Sequence, residues 1–210
     1  MSASRSFRRI STIRTGNCFV PDRQLMARAA LDGHERTIGT VAVAEVTDLA
    51  LVSAAVPRGS DEAFAAALAR GFGAARPATG DSTVGDRCAA RVLGMQPDQV
   101  FILFVPPDPD RPAETVSATL ESAAYVTDQS DSWAMLRMTG AGVRTALERI
   151  CPLDLDDRVF PQDRVARTAM EHLSVIVLRD GADSFLLMSP RSSARSFRHA
   201  VELSVEHVSE

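Results

Sequence analysis

Residues 126–140 read Val-Thr-Asp-Gln-Ser-Asp-Ser-Trp-Ala-Met-Leu-Arg-Met-Thr-Gly, a polar lead followed by an apolar run from Trp133 to Met138. Eighty residues earlier, residues 46–56 read Val-Thr-Asp-Leu-Ala-Leu-Val-Ser-Ala-Ala-Val, the same triplet leading into the run Leu49 to Val56. Short apolar runs of this kind, bounded by turn-forming residues, are read as strands. Two such triplets in one chain suggest a repeat.

The residues after each triplet support a duplication. After the first, Ser60 can cap a helix with Asp61 and Glu62 in its first turn, Phe64, Ala67 and Leu68 on one face, and Gly71 as its stop. A loop rich in Gly, Pro, Asp and Ser (76–85) leads to strand candidates at Arg87–Leu93 and Val100–Val105. A second helix starts near Pro112 and turns Val116 and Leu120 inward. After the second triplet, Val143, Ala146, Leu147 and Ile150 fall at i, i+3, i+4 and i+7 of a helix over Ala141–Ile150, which Cys151-Pro152 closes. Strands are expected at Val165–Met170, Val175–Leu178 and Phe185–Met188. The stretch Arg179–Ser184, with Asp180-Gly181, is a hairpin signal between the last two. A final helix from about Ser193 carries Phe197, Ala200, Val201, Val205 and Val208 on its apolar side.

Val46 registers with Val126, and Phe101 in Phe-Ile-Leu-Phe with Phe185 in Phe-Leu-Leu-Met. The fold expected is α+β: two duplicated β-α-β-β-α units with antiparallel sheets and helices on one face, paired into a pseudo-symmetric whole. The boundaries are a basic arm and lead-in over residues 1–36, a first unit over 37–123 and a second over 124–210. Chance alternation of strands and helices is the competing explanation.

Composition narrows the function. The chain has 210 residues, 45% of them hydrophobic and 24% charged, enough for a core that needs no staples. A net charge of −4 gives no general reason to expect nucleic acid or an anionic membrane as partner. No apolar run approaches the roughly 20 residues of a membrane span, so a soluble, cytoplasmic protein is expected. All 23 basic residues are arginine. Without lysine there can be no Schiff-base chemistry and no complete phosphate-binding P-loop. Arg5, Arg8, Arg9 and Arg14 precede any acid, a composition shared by a flexible arm and a mitochondrial transit peptide.

Motifs of catalysis are thin. Cys18, Cys88 and Cys151 are scattered, and the histidines at 34, 172, 199 and 207 lack metal-ligand spacing, so they are read as surface or half-buried groups. Gly140-Ala141-Gly142 follows a strand and opens a helix, but Thr145 stands where the third glycine of a dinucleotide fingerprint would be; a tight turn is expected. Asp154, Asp156 and Asp157 read as solvated turn residues. Trp133 and Tyr125 are the only Trp and Tyr, a poor supply for stacking a flavin or a base. No catalytic, cofactor-binding or metal-binding residue is nominated.

The second half resembles a known family. Asp128-Gln129-Ser130 with Trp133–Gly140, then Cys151-Pro152-Leu153-Asp154-Leu155, Phe160-Pro161, Ala166-Arg167-Thr168 and the tail Phe185–Ser193 with Pro190-Arg191-Ser192 are similar to the gamma subunit of heterotetrameric sarcosine oxidase. The likeness spans about Val126–Val201; the first 120 residues share only the general layout. The resemblance implies a fold akin to the folate-binding domain of aminomethyltransferases, and a non-catalytic subunit working with alpha, beta and delta chains. The complex would demethylate sarcosine to glycine oxidatively, passing the one-carbon unit to tetrahydrofolate. FAD, FMN, NAD, tetrahydrofolate and zinc are then implied for the partner subunits and none for this chain, which would be inactive alone. A subunit of a related N-methyl amine oxidase or dehydrogenase, a stand-alone folate-binding protein of the same fold, and a regulatory module binding a small ligand are the alternatives.

Overall fold

Strands that are apolar on both faces need cover on both sides, and four stacked layers meet that need here. The computed structural model describes residues 28–121 and 123–209. The arginine-rich arm and Cys18 lie outside the described residues. The elements in chain order are β1 (Glu35–Ile38), β2 (Val41–Glu45), β3 (Ala50–Ala55), α1 (Asp61–Phe72), β4 (Ser82–Val84), β5 (Arg91–Gln96), β6 (Gln99–Phe104), α2 (Pro112–Leu120), β7 (Tyr125–Asp128), β8 (Trp133–Thr139), α3 (Val143–Glu148), β9 (Val165–Met170), β10 (Leu173–Gly181), β11 (Ser184–Pro190) and α4 (Ala194–Ser209). Among these, no helix is long and apolar enough to cross a membrane.

Two antiparallel sheets result. The first has the order β4-β5-β6-β3-β7 and the second β9-β10-β11-β8-β2-β1. Written this way the orders match position by position, with α1 and α2 answering to α3 and α4. The duplication expected from sequence is therefore present in the topology. It carries an exchange that the sequence did not reveal. β2 belongs by position to the first repeat but pairs with β8 in the second sheet. β7 opens the second repeat but pairs with β3 in the first sheet. The sheets thus do not divide at residue 124, and the lead-in boundary at residue 36 falls inside β1.

The two Val-Thr-Asp triplets are not structurally equivalent. Glu45 faces Leu136 as Asp128 faces Val52, which shifts the true register three residues from the sequence match. In the second repeat the triplet lies within the exchanged strand; in the first it comes after that strand.

The layers are closed by three apolar clusters. Phe64, Leu68 and Phe72 of α1 and Val116 and Leu120 of α2 pack on Val52, Val92, Ile102 and Phe104 of the first sheet. Leu147 of α3 with Phe197, Val201 and Val205 of α4 pack on Leu136, Met138, Val177 and Phe185 of the second. The opposite faces meet each other through Leu51, Leu93, Phe101 and Leu103 against Met135, Ile176, Leu178, Leu186 and Met188. Along β10, Val175 and Val177 face the helices while Ile176 and Leu178 face the other sheet. That is why such strands read as unbroken apolar runs rather than alternating ones.

The two sheets are also stitched at one seam, where β4 meets β9. Ser82 donates its N–H to the Asp163 carbonyl at 2.7 Å and Val165 donates to Gly80 at 3.0 Å. Arg164 Nη1 lies 2.5 Å from Asp81 Oδ1, and Arg91 Nη1 lies 2.5 Å from Asp163 Oδ1.

Several local expectations are corrected. Gly71 does not stop α1, which runs to Phe72 and ends at Gly73 in the left-handed conformation (φ 65°). Gly71 serves helix packing instead: a Cβ there would lie 2.0 Å from Thr119 Cγ2 of α2. β5 starts at Arg91 rather than Arg87, because 87–90 form a turn with positive φ at Cys88 and Ala89. Ser82–Val84, assigned by sequence to a loop, is a short strand paired with β5. The helix expected over 141–150 is confined to Val143–Glu148, flanked by turns.

Leu147 is 1% exposed and lies in the cluster with Leu136 and Met138, with Ile150 packed alongside. Leu147→Ala is expected to destabilise the chain by about 2–5 kcal/mol, as cavities left by buried leucines do. Chemical denaturation checks this; an unchanged midpoint would mean that the face of α3 does not carry the core.

Candidate functional site

The apolar layer between the sheets opens to solvent at one end as a cleft of about 300 Å³, lined by residues of both sheets. Leu103, Leu178 and Leu186 form its floor, and Asp48, Arg91, Arg137 and Asp180 stand around it. These charges arrive from widely separated places in the chain, which is why no local motif announces them. Arg91, Arg137 and Asp180 are held by neighbours. Arg137 Nε lies 3.1 Å from Asp180 Oδ2, whose other oxygen accepts the Ser184 hydroxyl at 2.5 Å. Arg91 donates to Ser82 Oγ at 3.0 Å as well as to Asp163. The cleft is lined by no cysteine, histidine, serine or aromatic ring among the described residues. It offers neither an activated nucleophile nor an aromatic surface on which a pterin could stack.

Beside it lies a buried cation. Arg179, 5% exposed, follows the apolar run Val175–Leu178 of β10. Its guanidinium donates to Asp157 Oδ1 at 2.6 Å, to the carbonyls of Phe160 and Ala182 at 2.9 and 2.7 Å, and lies over the Phe185 ring. This planar, multiply bonded arrangement suits arginine and not lysine. Asp157 also meets Arg144 at 3.1 Å, so it anchors structure and is more than the solvated turn residue expected. Asp154 and Asp156 do cap their own turn, accepting from the Asp156 and Arg158 backbone N–H groups. The Arg158 side chain and then its backbone N–H hold the Asp156 carboxyl below the usual carboxylate range.

A second polar cluster joins α4 to the start of β1. Glu202, 7% exposed, lies 2.5 Å from His34 Nε2 and within 3.8 Å of Arg36 and Arg198. His34 is half-buried, while His172, His199 and His207 are exposed. Among the described residues no group of three or more His, Cys, Asp or Glu could hold a metal ion.

Gly140-Ala141-Gly142 makes the tight turn expected. Gly140 has φ 122°, and a Cβ there would lie 1.9 Å from the Thr40 carbonyl oxygen. The glycine is required by the close approach of the β1–β2 turn. Glu171 and His172 both have positive φ, which the two-residue turn between β9 and β10 demands.

Cys151 is buried and Cys88 exposed. Burial pushes the Cys151 thiol above its usual range, against a smaller opposing pull from the Leu153 backbone. At pH 8 Cys151 therefore stays protonated and shielded, since the thiolate is the reactive form. In a Cys18→Ser chain, a thiol reagent at pH 8 should label Cys88 rapidly and Cys151 only on unfolding. Equal labelling rates in the native state would contradict the burial of the Cys151 turn.

No family model matches the chain. A sarcosine oxidase subunit gamma of Corynebacterium sp. (strain U-96) is 30% identical over 176 residues, 84% of this chain and 82% of that protein. Its counterpart in Corynebacterium sp. (strain P-1) is 29% identical over 174 residues, 83% of each. Among solved structures, a chain of the heterotetrameric sarcosine oxidase of Corynebacterium sp. U-96 superposes with a TM-score of 0.74 at 23% identity, covering 88% of this chain and 97% of that one. The aminomethyltransferase T of the Bartonella henselae glycine cleavage system shares the fold more distantly, with a TM-score of 0.52 at 11% identity over 75% of this chain and 44% of that one.

Proposed function

The chain belongs to the sarcosine oxidase gamma subunits, and from that premise we propose that it is a non-catalytic accessory subunit of a heterotetrameric amine oxidase. The observation that carries the reading is the extent of the match: 84% of this chain against 82% of a relative named as that subunit, so the likeness is not confined to one shared module. The chemistry of the chain supports a role through its surfaces. Among the described residues, Arg91, Arg137 and Asp180 at its cleft are engaged with neighbouring charges, and its buried arginine is committed to Asp157 and backbone carbonyls.

In this reading the partners are alpha, beta and delta chains, and the reaction is oxidative demethylation of sarcosine to glycine with transfer of the one-carbon unit to tetrahydrofolate. FAD, FMN, NAD, tetrahydrofolate and zinc reside on the partners, and the assembly works in the cytoplasm. The contribution of this subunit is to cover apolar surface that its partners would otherwise expose, which stabilises the assembled state by mass action.

Expressed alone, the chain should be colourless and should not oxidise sarcosine. Co-expressed with its cognate alpha, beta and delta chains, it should co-elute in equimolar amount on size exclusion, with flavin absorbance in the same peak. Leaving it out should lower the yield or thermal stability of the oxidase. If the other three chains assemble and turn over sarcosine equally well without it, the accessory reading fails.

A further inference from the structure

The matching strand orders expose a difference between the sheets. β2 in the second sheet is the counterpart of β7 in the first, and the outer side of β2 is covered by β1. There Glu45 donates its N–H to the His34 carbonyl at 2.7 Å. The counterpart of Glu45 is Asp128, and among the described residues no strand pairs with β7 on that side. α2 ends at Leu120 and β7 begins at Tyr125, so the second repeat has no room for its own equivalent of β1.

The open edge is well defined. Gln129 sends its N–H to Leu51, and antiparallel alternation then directs the backbone groups of Val126 and Asp128 outward. β7 is short and ends on the charged Asp128, but it carries no proline, bulge or lysine, three of the devices that blunt an exposed edge. Tyr125, the only tyrosine, opens β7 and is 74% exposed, and tyrosine is a residue type that interfaces favour. The rim is acidic. Asp128 is exposed, and the Asp131 side chain is 90% exposed while pairing with Arg191 at 3.6 Å.

Resting on the accessory-subunit reading, we propose that β7 is a docking edge at which an extended, arginine- or lysine-bearing segment of a partner subunit adds as a sixth strand to the first sheet. Backbone pairing with Val126 and Asp128 supplies the register, and the basic side chains meet Asp128 and Asp131. Edge-to-edge pairing of two copies would bring both acidic rims together, so the charge pattern favours a basic partner over a second copy.

Hydrogen exchange resolved to single amides tests this with three samples: the full chain alone, a chain lacking residues 1–27, and the co-expressed four-chain complex. The Val126 and Asp128 amides should exchange freely in both isolated forms and slow at least about tenfold in the complex. Asp128→Asn, which keeps the Oδ1 acceptor for the Ser130 N–H, combined with Asp131→Asn should weaken capture of the chain by its partners about tenfold, while leaving its own thermal midpoint unchanged, since the exposed Asp131–Arg191 pair adds little to stability. Protection in the isolated full chain that disappears without residues 1–27 would assign the edge to this chain's own arm. Protection that grows with concentration would assign it to a second copy, and either outcome overturns the proposal. A complex that forms while both amides still exchange freely overturns it and leaves the accessory reading standing. Failure of the chain to enter the complex overturns both.

Discussion

The reciprocal exchange of β2 and β7 is the constraint on which the rest of the structure depends. β2 joins the sheet of the second repeat and β7 the sheet of the first, so neither sheet reaches its full order from one repeat alone. The exchange brings β8 and β3 into place as interior strands and sets their second faces against each other. The inter-sheet cluster of Leu51, Leu103, Met135, Ile176 and Met188 results from that stacking. Closing the β4–β9 seam with backbone bonds and two ion pairs then fixes the relative position of the sheets at the opposite side.

This arrangement explains the character of the polar groups. A sheet covered on both faces leaves little room for charge, so the charged residues that remain inside are bound by several partners. Arg179 is satisfied by a carboxylate, backbone carbonyls and an aromatic face, and Glu202 by a histidine flanked by two arginines. The guanidinium is suited to both situations because it spreads its charge over a plane and donates in several directions. In a chain without lysine, the same residue type holds the seam, the cleft and the helix–strand contact. Groups committed in this way tie the fold together and leave the outer surfaces to carry recognition. That is the division of labour expected of a subunit that completes an assembly.

Much of the fold could be read from sequence because apolar runs and helix periodicity report local burial. The strand at 165–170, the helix starting at Pro112 and the inward Phe197, Val201 and Val205 of α4 stand where those patterns place them, and the strand expected at 100–105 lies one residue earlier, at 99–104. Pairing partners are a different matter. Nothing in Val41–Glu45 says that it pairs with residues some ninety positions away, and the doubled Val-Thr-Asp, although it signalled the repeat, misled by three residues on its register. Gly71 looked like a helix stop because a glycine near a helix end has two physical uses, and only the neighbouring Thr119 shows that close packing is the one in force. The site was less legible than the fold. Arg179 comes directly after the apolar run Val175–Leu178 and reads as the start of a polar turn, and the cleft is assembled from isolated residues of both sheets. The resemblance at Cys151-Pro152-Leu153-Asp154-Leu155 and Phe160-Pro161 reached the family where composition and spacing could not, and the structure shows the local reason those residues matter. Cys151, Leu155 and Phe160 all enter the core of the second sheet.

If the exchange of strands couples the two repeats as described, the isolated chain must unfold as one body. Differential scanning calorimetry tests this directly, by comparing the calorimetric enthalpy with the van't Hoff enthalpy of the same transition. Coupled repeats should give a single transition with a ratio of about 1. Two resolved transitions, or a calorimetric enthalpy about twice the van't Hoff value, would show two independently folding halves and contradict the coupling.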